Sequence, residues 1–144
     1  MKNLFLIIIV TSWISGCGDT NGVESKVAGR WYTQSQIELG TKVYSENCIA
    51  CHAPQAKGTQ EWMKRDVNGK YPPPPLNGTA HTWHHPLSIL KRTITQGGIQ
   101  LGGVMPGFGG KLKEAEKLAA IAYVQSFWSD KIYDAWDERG GISR

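Results

Sequence analysis

The stretch "NCIACH", residues 47–52, carries two cysteines separated by two residues, Cys48 and Cys51, and a histidine, His52, directly after the second. This spacing is compatible with three chemistries: a redox-active dithiol, part of a zinc site, or the covalent attachment of a haem. Each of them needs a different structural setting. The segments around the motif therefore decide between them.

The residues before the motif predict a helix that ends at the cysteines. Ser35 and Glu38 have the spacing of a capping box, and Ile37, Gly40 and Val43 then fall along one helical face. A thioredoxin-like dithiol instead has its first cysteine at a helix N-terminus after a strand, where amide dipoles lower the thiol pKa. The pattern disfavours a dithiol.

The number of ligands separates zinc from haem. A structural zinc site needs four ligands, and Cys48, Cys51 and His52 supply at most three, with no second paired module elsewhere. Covalent haem needs two thiols that reach its two vinyl groups, followed by an imidazole that coordinates the iron from one face. We therefore predict one haem c, held by thioethers at Cys48 and Cys51 and ligated by His52.

Three motifs resemble those of the class I c-type cytochromes: the Cys48 to His52 stretch, "PPLNG" at residues 74–78 and "VMPGF" at residues 104–108. The resemblance covers about residues 35 to 128. It implies an all-α fold of about four to five helices around one haem, with crossed N-terminal and C-terminal helices. It also implies that the carbonyl of Pro74 accepts the Nδ1 proton of His52, although Pro75 is an alternative in this proline run.

The second axial ligand is predicted to be Met105. It lies in "GGIQLGGVMPGFGG", residues 97–110, where seven glycines allow close backbone approach and Pro106 stiffens the turn after the methionine. The match to the family's Met-Pro loop favours ligation, and a thioether ligand raises the reduction potential. Met63 stands in a polar, charged connection and is expected to pack or to be exposed.

Three histidines follow in "NGTAHTWHHP", residues 77–86. His81, His84 or His85 could instead supply a second imidazole to the iron, or bind other metal ions. Near the haem edge, His81 or Trp83 could donate hydrogen bonds to the propionates. The equally open alternative is a surface loop in which Trp83 fills the core.

Two later stretches have the pattern of helices. Pro86 suits the first turn of a helix for which Gly97 is an available C-terminal stop. Residues 114–128 are apolar on nearly all sides and should be buried, although Lys113 stands where a serine, threonine or aspartate usually caps a helix.

Gly40 is expected at a crossing of the first and last helices. Glycine costs about 1 kcal/mol in an isolated helix relative to alanine. Close packing against Ala119, Ala122 or Tyr123 would offset that cost.

The N-terminus has the charge, apolar run and small-residue ending of a secretory signal, and Ile14-Ser15-Gly16-Cys17 resembles a bacterial lipoprotein signal. Residues 1–16 are predicted to be the signal peptide and Cys17 the lipidated residue, with an ordinary signal peptide cut nearby as the alternative. Residues 17–30 are polar and glycine-rich, and are assigned to an anchor and flexible tether. The domain is predicted at 31–130, followed by an extension at 131–144 that folds back or docks a partner.

The net charge of +4 includes no run of basic residues, so nucleic-acid binding is disfavoured. The sequence predicts a monomeric electron carrier, not an enzyme, tethered in the periplasm or at the outer face of the cytoplasmic membrane. Its partners would be redox proteins, such as a respiratory donor and an oxidase or reductase. A haem enzyme or gas sensor is the alternative.

Overall fold

A computed structural model describes residues 24–142 of the chain, so the predicted signal peptide and Cys17 lie outside the described residues. Within this range are five α-helices, three short 3-10 helices and two isolated β-bridges, but no β-strand. The α-helices are α1 (Gln34–Asn47), α2 (Ile49–His52), α3 (Leu87–Gln96), α4 (Glu114–Gln125) and α5 (Asp130–Glu138). The prediction of an all-α fold is confirmed.

The capping box of α1 differs from the predicted one. Thr33 is the N-cap residue: its backbone N–H donates to Oε1 of Gln36 at 2.9 Å, and its hydroxyl accepts from the Gln36 N–H. Ser35 lies inside the first turn and bonds the Glu24 carboxylate instead, with its N–H 2.9 Å from Oε1. The prediction of Ser35 with Glu38 was wrong because an equivalent pair stands two residues earlier in the chain.

Gly40 lies where α1 crosses α4, as predicted. A Cβ at this position would lie 2.0 Å from the carbonyl oxygen of Ala119 and 2.8 Å from Cβ of Tyr123. The two helix backbones therefore approach each other at a distance that only glycine permits. Because α5 follows α4, the crossing helix is not the last helix of the chain.

The ends of α3 and α4 follow from local chemistry. Gly97 ends α3 as predicted, with a φ of +81° that favours glycine, whereas Pro86 is the extended N-cap residue directly before the first turn in which it was predicted. At the start of α4, the Lys113 N–H donates to Oε2 of Glu116 at 2.7 Å, which is the half of a capping box in which the N3 side chain reaches back to the N-cap backbone; the lysine side chain accepts no hydrogen bond from the first turn. The helix ends at Gln125, three residues before the predicted end.

The predicted C-terminal extension folds back onto the domain as α5. Tyr133 and Trp136 are buried in a core cluster that also contains Tyr32. Arg30 lies 4.0 Å above the Tyr133 ring and pairs with Asp130 at 2.6 Å. The folded unit thus continues past residue 130, and the end of the predicted tether contacts it.

Candidate haem site

The cysteine motif occupies the junction of α1 and α2. The Cys48 N–H donates to the Tyr44 carbonyl at 2.9 Å and closes α1, and the single turn of α2 ends at His52. Both cysteines are unpaired thiols. Burial raises the pKa of Cys48 to about 11, which is opposite to what a reactive dithiol requires.

A left-handed turn follows His52. Ala53, Gln55 and Ala56 have φ values of 59°, 58° and 56°, and they are the only residues other than glycine with positive φ among those described. Each such residue costs roughly 1–3 kcal/mol, so the surrounding contacts must hold the turn in place. The Tyr44 hydroxyl does so at the Ala53 carbonyl, at 2.8 Å. Pro54 marks a turn in the sequence, but Ala53, Gln55 and Ala56 are not residue types that favour a positive φ.

His52 is a buried imidazole with one nitrogen engaged. Its exposed fraction is 7%, and Nδ1 lies 3.1 Å from the carbonyl oxygen of Pro74. A carbonyl only accepts, so Nδ1 is the donor and Nε2 remains for a metal. Burial lowers the pKa of His52, and the bond to Pro74 opposes this in part. The neutral ring is the form that binds metals.

Pro74 and Pro75 were the two alternatives for the carbonyl that accepts from His52, and in the structure each of these carbonyls has its own donor. Pro74 receives His52, while the Pro75 carbonyl accepts the hydroxyl of Thr82 at 3.1 Å. Thr82 is buried and was not singled out by the sequence. The contact implied by the resemblance is thus the one that the structure contains, and Pro75 has another role.

The loop that carries Met105 is attached to the end of α3 by backbone hydrogen bonds. Phe108 N–H donates to the Ile94 carbonyl at 2.8 Å, and Gly98 N–H donates to the Met105 carbonyl at 2.9 Å. A Cβ at Gly97 would lie 2.6 Å from the Met105 carbonyl oxygen. The loop therefore needs glycine at its start, and it holds Met105 half-buried.

Residues 71–76 connect the Met105 loop with His52. The Tyr71 N–H donates to the Gly102 carbonyl at 2.9 Å, and three residues later the Pro74 carbonyl meets His52. The Arg65 guanidinium stacks over the Tyr71 ring at 4.1 Å. The loop that carries Met105 and the ring of His52 thus bond to the same short segment, the loop at Tyr71 and the ring at Pro74.

His81 has a ring nitrogen without a partner. The ring stacks on Trp62 with centroids 4.7 Å apart, and its buried Nδ1 makes no hydrogen bond to the described residues. Burial lowers the pKa of His81, and the neighbouring His85 and His84 lower it further. Nδ1 is therefore a buried polar atom that lacks a partner among the described residues.

Trp83 packs in the core. Its indole lies against the cluster that contains Trp136. The ring centroids of Trp83 and His84 are 4.1 Å apart, and the guanidinium carbon of Arg139 lies 5.0 Å from the centroid of the Trp83 ring. Of its two predicted roles, the structure contains the core packing. Hydrogen bonding to a propionate stays a prediction for Trp83.

The chemistry of these donors fits a covalently bound haem. Two unpaired thiols suit the vinyl groups, a neutral imidazole and the Met105 thioether suit the iron, and the free nitrogen of His81 suits a propionate. Met63, by contrast, is 73% exposed. Within residues 24–142, no three His, Cys, Asp or Glu side chains are grouped so that they could share a metal ion.

The helical fold and the Cys-x-x-Cys-His junction define a class I c-type cytochrome. The family model for cytochrome c oxidase, cbb3-type, subunit III, matches residues 35–124, and the chain belongs to this family. Membership implies a covalently bound haem c. No solved structure matches the chain.

Curated relatives agree with this family. The chain is 33% identical over 92 residues to the cbb3-type cytochrome c oxidase subunit FixP of Bradyrhizobium sp. (strain ORS 278), covering 64% of this chain and 28% of the relative. It is 29% identical over 103 residues to subunit CcoP of Azospirillum sp. (strain B510), covering 72% and 32%. The chain thus spans about three tenths of the length of these relatives.

Proposed function

We propose that this chain is a single-haem electron carrier that passes one electron at a time between redox proteins outside the cytoplasm. The observation that carries the proposal is the buried, neutral imidazole of His52, fixed by Pro74, immediately after two unpaired cysteines. A haem bound there would supply an iron that alternates between its ferric and ferrous states. The residues of the chain hold it, tune it and limit access to it.

Within this proposal, Cys48 and Cys51 would form the thioethers, and His52 and Met105 would be the two ligands that the protein gives to the iron. Two protein ligands would leave no position for an incoming molecule, which would favour electron transfer over oxygen or peroxide chemistry. Cys51 is exposed, so the attachment edge lies at the surface, where a partner can approach. His81 is proposed to hold a propionate.

A spectroscopic titration tests the carrier function. The purified holoprotein should show one reversible one-electron couple, the weak long-wavelength band typical of methionine-ligated ferric haem, and no rapid binding of carbon monoxide when reduced. A folded protein that lacks this band and binds carbon monoxide rapidly would be a haem enzyme or gas sensor instead.

The partners are proposed from the relatives. Those relatives are named as subunits of a cbb3-type cytochrome c oxidase, so an oxidase of the haem–copper type is a candidate acceptor, with a reductase as the alternative. We propose a monomer that meets its donor and acceptor in turn.

Attachment to the membrane is proposed to occur through acylated Cys17, after removal of residues 1–16. Within residues 24–142, none of the helices is long and apolar enough to cross a bilayer. Replacing Cys17 by serine should move the protein from the membrane to the soluble periplasmic fraction, because serine has no thiol to acylate and stable anchoring requires two membrane-binding signals such as two acyl chains. Fractionation followed by haem staining measures this. Membrane retention of the Cys17→Ser protein would contradict the lipid anchor.

A further inference from the structure

Four consecutive backbone carbonyls, at positions 73–76, each accept one hydrogen bond from a different part of the chain. The donors, in the order of the carbonyls, are the N–H of Thr59, Nδ1 of His52, the hydroxyl of Thr82 and the indole N–H of Trp128, at 2.8, 3.1, 3.1 and 2.8 Å. We call residues 73–76 the carbonyl strap. One bond in the middle of the strap is the bond to the haem-binding imidazole.

Within the strap, Leu76 is the one residue with an N–H, which donates to the Ala56 carbonyl at 2.8 Å; every other backbone attachment of the strap is through a carbonyl. Residues 72–75 are prolines, which have no N–H to donate and a φ fixed by the ring. Such a run favours a stiff polyproline II conformation with three residues per turn, in which successive carbonyls point about 120° apart. Donors on several sides are therefore needed to set its rotation about its own axis.

We propose that Thr82 and Trp128 are positioning residues that hold the Pro74 carbonyl on Nδ1 of His52 and thereby set the reduction potential. Their bonds go to the two carbonyls that follow Pro74, at Pro75 and Leu76. Neither side chain is itself a predicted ligand. The inference rests on the proposed function, since it requires His52 on the iron.

Both donors are themselves rigidly placed. Thr82 is 6% exposed and lies in the 3-10 helix His81–His84. Trp128 is 3% exposed in the main core cluster, and a Cβ at Gly78 would lie only 3.2 Å from its ring. The core cluster that contains Trp128, Tyr133 and Trp136 is therefore linked to the strap by the hydrogen bond from the Trp128 indole N–H.

The direction of the effect follows from the hydrogen bond to the imidazole. A good acceptor at Nδ1–H makes the ring a more basic ligand, which stabilises ferric iron over ferrous iron. When Thr82 or Trp128 no longer donates, the strap can rotate and the bond from His52 weakens. The reduction potential should then rise.

The test compares the midpoint potentials of the holoproteins carrying Thr82→Val, Trp128→Phe and Thr82→Ser with that of the wild type. Valine has the shape of threonine without the donor, phenylalanine keeps an aromatic ring without the N–H, and serine restores the hydroxyl. We expect the oxidised-to-reduced ratio at a fixed potential to fall about threefold or more in the first two, where tenfold corresponds to about 59 mV for a one-electron couple. Thr82→Ser should lie close to the wild type.

Tyr133→Phe is the matched control. Its buried hydroxyl accepts from the Trp31 N–H at 2.9 Å and makes no hydrogen bond to the strap. It should lower stability without moving the potential. A second readout is the hydrogen exchange of the Nδ1 proton of His52, observed by NMR, which should accelerate in Thr82→Val and Trp128→Phe only.

The inference is overturned if both donor variants keep the potential of Tyr133→Phe, and a shift in one of them alone overturns the role of the other residue. Failure of the proposed function is seen separately, in a wild-type protein that binds no haem or shows no one-electron couple.

Discussion

Replacing Met105 by alanine is expected to lower the reduction potential markedly while the haem stays covalently attached. A thioether ligand favours ferrous iron, and axial ligands together span about 0.8 V of reduction potential. The bonds that hold the loop come from its backbone, such as Gly98 N–H to the Met105 carbonyl, so truncating the side chain should leave the loop in place. Potentiometric titration followed by absorbance measures the shift.

Two further variants serve as controls for Met105→Ala. Met63→Ala removes an exposed methionine that follows the haem motif and should leave the potential unchanged. Cys51→Ala keeps Met105 but removes one thioether, so haem should be retained poorly on a denaturing gel. An unmoved potential in Met105→Ala would show that the iron has another ligand.

Replacing Gly40 by alanine is expected to destabilise the protein severely. A methyl group there would lie 2.0 Å from the Ala119 carbonyl oxygen, which belongs to the backbone of α4 and cannot move without separating the helices. Alanine gains about 1 kcal/mol in helix propensity. Overpacking usually costs about 1–3 kcal/mol, and a contact with rigid backbone lies at or above the upper end of that range. The free energy of unfolding should therefore fall.

Guanidinium denaturation of the holoprotein, followed by far-ultraviolet circular dichroism, tests this expectation. Gly110→Ala is the control, because a Cβ at Gly110 would meet no atom within 4 Å. It should change the free energy of unfolding by no more than about 0.5 kcal/mol. Equal midpoints for the two variants would mean that the helix crossing is less close than the structure has it.

Sequence patterns succeeded where the interactions are local. Pro86 and Gly97 flank α3: Pro86 is the N-cap residue with extended backbone, directly before the first turn in which it was predicted, and Gly97 accepts a positive φ. The sequence pattern did not identify the N-cap residue of α1, because two pairs of residues there have the spacing of a capping box. A contact from Glu24, eleven positions away, occupies Ser35, and Thr33 caps the helix.

For the C-terminal extension, the sequence did not show what its apolar face packs against. The spacing of Tyr133 and Trp136 predicts an amphipathic segment, but amphipathicity alone does not say whether the apolar face meets the domain or a partner. The structure answers this through contacts between distant parts of the chain, such as the Trp136 indole N–H with the His85 carbonyl at 2.8 Å. The left-handed turn at Ala53 likewise depends on a tyrosine nine residues earlier.

By itself, the sequence determined that the chain carries a haem-attachment motif, because vinyl attachment depends on residue types at a short spacing, while the all-α fold was implied by the resemblance to the class I c-type cytochromes. Only the tertiary structure decided which proline carbonyl receives the His52 N–H, and that Thr82 and Trp128 flank it. Those bonds join residues up to 52 positions apart, between Trp128 and Leu76, and their geometry exists only once the helices are packed.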